Sequence, residues 1–156
     1  MQVENRVQLK PGPTPNHLIN RIARLLARIG EPRLRELGLS VAQLPVLTSL
    51  SSGVAVTQKE LARAARIEQP TMAEMLTRMK RDGIVVLEPN PDDKRSKLIS
   101  LTKVATARIP AVRAILARGH QEAFKGFSEA EVATLVALLQ RVIRNLEEIE
   151  TATESS

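Results

Sequence analysis

The chain of 156 residues contains no cysteine. That excludes disulfides, thiolate metal sites and thiol redox sensing. Tryptophan and tyrosine are missing too, and Phe124 and Phe127 are the only phenylalanines. A core must therefore be built from Leu, Ile, Val, Ala and Met. No apolar run reaches the roughly 18 residues that a membrane span requires. The opening stretch MQVENRVQLKPGPTP has no apolar signal-peptide segment. No Gly-rich phosphate loop, no His/Asp cluster at metal spacing and no Ser–His–acid set with supporting context is present. The expectation is a cytoplasmic protein that is not an enzyme and uses no cofactor and no metal.

Acidic residues are in the minority, 17 against 23 Lys and Arg, which leaves a net charge of +6. The sequence pI is about 10.3. A basic balance favours polyanion partners such as nucleic acid, although a solvated basic surface has the same composition. The length suits one domain, or one domain with an appendage.

Residues 1–15 hold Pro11, Gly12, Pro13 and Pro15 without periodicity and read as a flexible arm. From Asn16 the apolar residues Leu18, Ile19, Ile22, Leu25, Leu26 and Ile29 recur at spacings of mostly three and four, a helical pattern. Gly30 and Pro32 interrupt it, and a short continuation ends at Gly38. Ser40 and Gln43 form a capping-box pair for a second helix, with Pro45 an irregularity just past its first turn. Thr57 and Glu60 form another pair for a third helix. In the fourth, IEQPTMAEMLTRMKRDG, Pro70 suits the first turn and Gly83 the stop. Two apolar runs follow, IVVL (84–87) and LISL (98–101), and PNPDDKRSK between them is rich in turn formers. They predict a hairpin with a basic tip. Thr102 caps a fifth helix that Pro110 should bend, and Ser128 with Glu131 caps a sixth. The final residues, 151–156, read as a frayed tail.

The order is four helices, a hairpin and two helices: mainly α with a small β-hairpin. Capped helices across a short turn, followed by a hairpin, are the layout of a winged helix-turn-helix. In the fourth helix Met72, Met75, Leu76 and Met79 make an inner stripe. The opposite face then carries Pro70, Glu74, Thr77 and Arg81, flanked by Ala73 and Arg78. Gln69 and Thr71 lie at the N-terminal end, which normally points into the major groove. Gln can read adenine, and Thr can touch a thymine methyl or a phosphate. Arg78 and Arg81 suit phosphates. Thr57 and Gln58, opening the third helix, join this candidate DNA-binding set. Glu74 is repelled by phosphate. It can accept from cytosine N4 or pair with Arg78 four residues on, and the pairing is the preferred reading. In the hairpin, Arg95 fits a minor groove, Asp93 can accept from its guanidinium and hold it, and Lys94 and Lys97 suit phosphates. Solvated helix faces and mixed-charge loops without any such role are common.

Three stretches together resemble the MarR family of bacterial transcriptional regulators: LGLSVAQLPVLTSL, VTQKELARAARIEQPTMAEMLTRMKRDGIV and NPDDKRSKLISLT. In the last, Asp93-Lys94-Arg95 matches the D-x-R element of the family's wing. The resemblance runs from about Leu18 to Ile149. It implies a homodimer in which residues 16–38 and 102–150 form a helical dimerisation region. Residues 39–101 would be the winged DNA-binding domain, two of which reach one pseudo-palindromic operator. It also implies repression relieved by a small phenolic or anionic effector. Two features depart from the family: Glu74 stands where a basic or polar residue is common, and no cysteine is available for thiol sensing. For an effector site the only side chains to suggest themselves are His17 and His120, and lone helical histidines are more often plain packing. The competing reading is a winged-helix module for protein interaction or assembly, which predicts no salt-dependent DNA affinity.

Overall fold

The computed structural model describes residues 12–154. Most of the expected arm, residues 1–11, lies outside the described residues, as do 155 and 156. Six α-helices and three strands follow in order: α1 (Pro15–Arg35), α2 (Leu44–Leu50), β1 (Val56–Thr57), α3 (Gln58–Ala65), α4 (Gln69–Arg81), β2 (Val85–Pro89), β3 (Lys97–Leu101), α5 (Lys103–Ala123) and α6 (Glu129–Glu154). The chain divides into two compact units between Ala117 and Arg118, within α5.

The first unit holds the buried core, and it is aliphatic as composition requires. Leu34, Val46, Leu47, Leu50, Leu61, Met72, Leu76, Met79, Ile84 and Ile99 are all but fully buried. They come from α1, α2, α3, α4, the turn into β2 and the sheet, so these elements share one interior. No polar or charged residue among the described residues is buried. The strands form an antiparallel sheet in the order β1-β3-β2. Val85 pairs with Leu101 and Leu87 with Ile99 in the hairpin, while Val56 pairs with Ile99 across the sheet's other side.

Four local features differ from expectation. Helix α1 runs unbroken through Gly30 and Pro32 to Arg35. Pro32 forgoes one backbone bond to the turn before it, and the helix stays continuous because the bonds on either side remain, the Glu36 N–H still reaching the Pro32 carbonyl. The carboxylate of Glu31 also accepts from the Val41 N–H at 2.9 Å, which fastens this end to the next segment. In the turn beyond Arg35, Gly38 takes a φ of +69°, which suits glycine. Second, Pro45 is no irregularity. A single 3-10 turn, Val41–Gln43, precedes α2, so Pro45 falls in the first turn of an α-helix where no N–H is needed. Gln43 does accept from the Ser40 N–H, at 3.0 Å. Third, Val56–Thr57 adds a strand that the sequence pattern did not show. Fourth, α6 continues to Glu154, past the start of the expected tail. In this last stretch the Thr151 and Thr153 hydroxyls donate one turn back to the Glu147 and Ile149 carbonyls.

The start of α5 is held by Thr102. Its hydroxyl accepts from the Ala105 N–H at 3.2 Å and donates to the Gly83 carbonyl at 2.7 Å. Gly83, at φ +71°, is where α4 stops. One threonine thus ties the exit of α4 to the entry of α5, which runs on through Pro110.

In the second unit, α6 has no buried residue. Leu139, Val142, Ile143, Leu146 and Ile149 are all exposed, Ile149 by 63%. On α1, Leu18, Ile19, Ile22, Leu26 and Ile29 are exposed likewise. No helix among the described residues is long and apolar enough to cross a membrane.

Candidate nucleic-acid interface

The turn between α3 and α4 sets the geometry of the candidate reading helix. Arg66 ends α3 in the left-handed region, φ +52°, and the Ile67 N–H donates back to the Ala62 carbonyl. Leaving α3 this way lets Ile67 pack on the core and starts α4 within a few residues. Pro70 occupies the first turn of α4, where it costs no bond. Met72, Leu76 and Met79 anchor the inner face, with Met75 half-buried beside them. The outward face is fixed as a consequence. Gln69, Pro70, Thr71, Glu74, Thr77, Arg78 and Arg81 are exposed, and Ala73 is half-buried.

Several of these side chains are already engaged. The Thr77 hydroxyl donates to the Ala73 carbonyl at 2.9 Å. Arg81 pairs with Asp82, Nε to Oδ1, at 3.1 Å. The amide of Gln58 reaches the Gln69 carbonyl at 3.5 Å, a long contact that links the starts of the two helices. The expected pairing of Glu74 with Arg78 does not form; no ion pair within the described residues holds Glu74. Both groups lie in water, where such a pair gains little against the cost of ordering two long side chains.

The turn between β2 and β3 is braced by side chains. Asn90 donates to the Ser96 hydroxyl at 2.9 Å and accepts from the Asp92 N–H at 3.0 Å. The Asp93 carboxylate accepts at 2.9 Å from the backbone N–H of Arg95, not from its guanidinium. Asp93 therefore shapes the turn rather than gripping the arginine, as Asp does in an Asx turn. Lys94, Arg95 and Lys97 are exposed.

Thr57 plays two local parts. It closes β1 and caps α3, accepting from the Glu60 N–H at 3.3 Å. Its own N–H and hydroxyl both donate to the Glu60 carboxylate at 2.8 Å. Those bonds, the backbone one first, hold Glu60 below the ordinary value of 4.5. Ser128 lowers Glu131 in the same way at the start of α6. A carboxylate depressed by folding adds stability that is complete above its unfolded pKa and is lost as pH falls through the folded one. Both caps should hold at neutral pH and fail on the acid side of 4.5. Replacing Glu60 and Glu131 with glutamine should therefore lower the denaturant midpoint at neutral pH, and the gap from the parent chain should close on acidification. A gap that stays constant with pH would show that the ionised caps contribute nothing.

One cleft brings these segments together. It is lined by Gln58 and Lys59 from α3, Gln69 from α4, and Asp93, Arg95 and Lys97 from the hairpin, over an apolar floor that includes Leu87 and Ile99. Lys59 was missed from the sequence, although its charge one residue after Gln58 was a signal. Asn90 and Ser96, which brace the turn, border the same cleft. The histidines lie elsewhere. His17 is exposed in the first turn of α1, its N–H on the Thr14 hydroxyl at 3.3 Å. In the second unit, His120 packs on Phe124 with ring centres 4.8 Å apart, and Phe127 meets Phe124 edge-on.

The family model described as MarR family matches residues 37–96, from the end of α1 through the hairpin tip. The multiple antibiotic resistance protein MarR of Escherichia coli (strain K12) is 32% identical over 127 residues, 81% of this chain and 88% of that protein. The HTH-type transcriptional repressor IacR of Pseudomonas putida is 31% identical over 117 residues, 75% of this chain and 70% of its own. A crystal structure of a mutant E. coli MarR complexed with operator DNA superposes with a TM-score of 0.75 at 31% identity, covering 81% of this chain and 91% of that one. The helices, the sheet with its braced hairpin and these relatives agree: the chain belongs to the MarR family of transcriptional regulators.

Proposed function

We propose that the protein is a repressor that binds a pseudo-palindromic operator as a homodimer and is released by a small phenolic or anionic effector. The observation that carries this reading is the cleft where Gln, Lys and Arg side chains from α3, α4 and the hairpin converge. In this reading residues 39–101 are the DNA-binding region. The N-terminal turn of α4 enters the major groove, with Gln69 and Thr71 toward the bases. Arg78, Arg81, Lys94 and Lys97 meet phosphates, and Arg95 enters the adjoining minor groove. The hydroxyl of Thr57 serves its cap, so Thr57 and Gln58 position the start of α3 beside the backbone.

Residues 16–38 and 102–150 form the dimerisation region. The exposed apolar rows of α1 and α6 exceed what a monomer leaves in water, and a second copy covers them symmetrically. An effector releases DNA only by binding better to a spacing of the two reading helices that does not fit the operator. The work is binding rather than catalysis, and it takes place in the cytoplasm with the DNA.

The test is an anisotropy titration against the DNA upstream of the protein's own gene at several salt concentrations. Four phosphate-facing cations in each of two protomers predict a log–log slope of about −7. Scrambled DNA should bind far more weakly. Flat salt dependence with equal affinity for both DNAs would overturn the reading and favour a protein-interaction module.

A further inference from the structure

The carboxylate of Glu74 has no structural work to do. It stands at the middle of the outward face of α4. At about 100° per residue, Pro70, Glu74, Thr77 and Arg81 fall within roughly 60° of arc. None of its neighbours donates to it: Arg78, four residues on, carries donors but forms no pair with it. Pro70 and Ala73 have none in their side chains, and the Thr77 hydroxyl is spent on the Ala73 carbonyl. Arg81 is paired with Asp82, and no ion pair reaches Glu74. The inner face of the helix is locked by Met72, Leu76 and Met79, so α4 cannot roll to hide the group.

A charged group in that place must keep water or gain donors when a surface closes over it, because desolvation without a partner is costly. On DNA the phosphates and sugars offer a carboxylate nothing favourable. The major-groove edge offers two amino groups, cytosine N4 and adenine N6. Adenine sets the N7 acceptor beside its amino group, which repels a carboxylate. Cytosine sets only a C–H there. Guanine and thymine present acceptors at their own edges.

We propose that Glu74 is a specificity-determining residue that accepts from cytosine N4 and so requires a C·G pair at one position in each half-site. The proposal rests on the DNA-binding reading above. It assigns to the carboxylate a selective role: it rejects the three other bases through acceptor repulsion, at the expense of general affinity.

The experiment is selection of binding sites from a random duplex pool by the full chain, by Glu74→Gln and by Glu74→Ala. The residue is exposed, so both variants should fold, which circular dichroism verifies. The parent chain should return a two-fold consensus with cytosine fixed at one position per half-site. Glutamine can bond adenine N6 and N7 together, so Glu74→Gln should move that position from C to A. Glu74→Ala should leave it unspecified, with discrimination there reduced by about tenfold. The rest of the consensus should persist in both. A consensus unchanged in both variants, with all affinities merely raised, would reduce Glu74 to a repeller of phosphate and overturn the assignment while leaving DNA binding intact. Failure of the parent chain to enrich any sequence would overturn the DNA-binding reading and this assignment with it.

Discussion

Replacing Arg95 with alanine is expected to weaken operator binding about 30-fold or more per half-site, with no change in melting temperature. The second half of that statement follows from the structure. The Arg95 side chain is exposed, and the bond that shapes the turn is made by its backbone N–H to Asp93, which alanine keeps. The first half follows from the narrow hairpin tip. In the proposed complex a guanidinium carried there would enter a minor groove whose negative potential is focused, and would leave water to do so. Lys94→Ala provides the contrast. Losing a lysine that meets phosphate, once in each protomer, should weaken all sequences alike and reduce the salt slope by about two. Anisotropy titrations on operator and scrambled DNA measure both. Undiminished operator affinity in Arg95→Ala would remove the wing from the interface.

Introducing aspartate at Ile143 and Leu146 together is expected to give a monomer whose operator affinity falls by about 100- to 10,000-fold. Both residues are exposed on α6, so a charge there breaks no packing within the protomer. In a dimer the same charges would be buried without partners. Two linked reading helices bind far more tightly than one, since the second contact is made at high effective concentration. Sedimentation velocity gives the assembly state and anisotropy the affinity. Ile22→Asp, on the exposed row of α1, provides a second approach should α6 lose its helicity. Variants that remain dimeric would place the interface away from both rows.

The sequence was most informative where structure is local. The Thr57–Glu60 and Ser128–Glu131 spacings announce caps that form between neighbours three apart, and the geometry delivers both. The stripe of Met72, Leu76 and Met79 announces its own buried side in the same way. It was least informative where a distant partner decides. Strand β1 has two residues, and its ladder bonds go to β3 some forty residues later. No periodicity fits in so short a piece. The continuity of α1 past Pro32 is supported by the Glu31 bond to Val41, which nothing in the helix itself encodes. At the candidate interface the exposed positions on α4 were legible from its periodicity. The use made of two carboxylates was not. Asp93 turned to a backbone N–H and Glu74 to none, because an exposed ion pair gains too little to order its side chains.

Thr57 belongs to two elements at once: it ends β1 opposite Leu98 and caps α3. This junction has no slack in chain length. Deleting one residue at 54–57 would turn Val56 to the other side of the sheet, since a strand alternates faces at every residue. The same deletion would advance the start of α3 by about 100° around its axis. The tip between Pro89 and Lys97 is bound to no helix phase, so residues can be added or removed there without disturbing the core. Variation in length among functional versions of this protein should therefore gather at the tip and be absent from the junction.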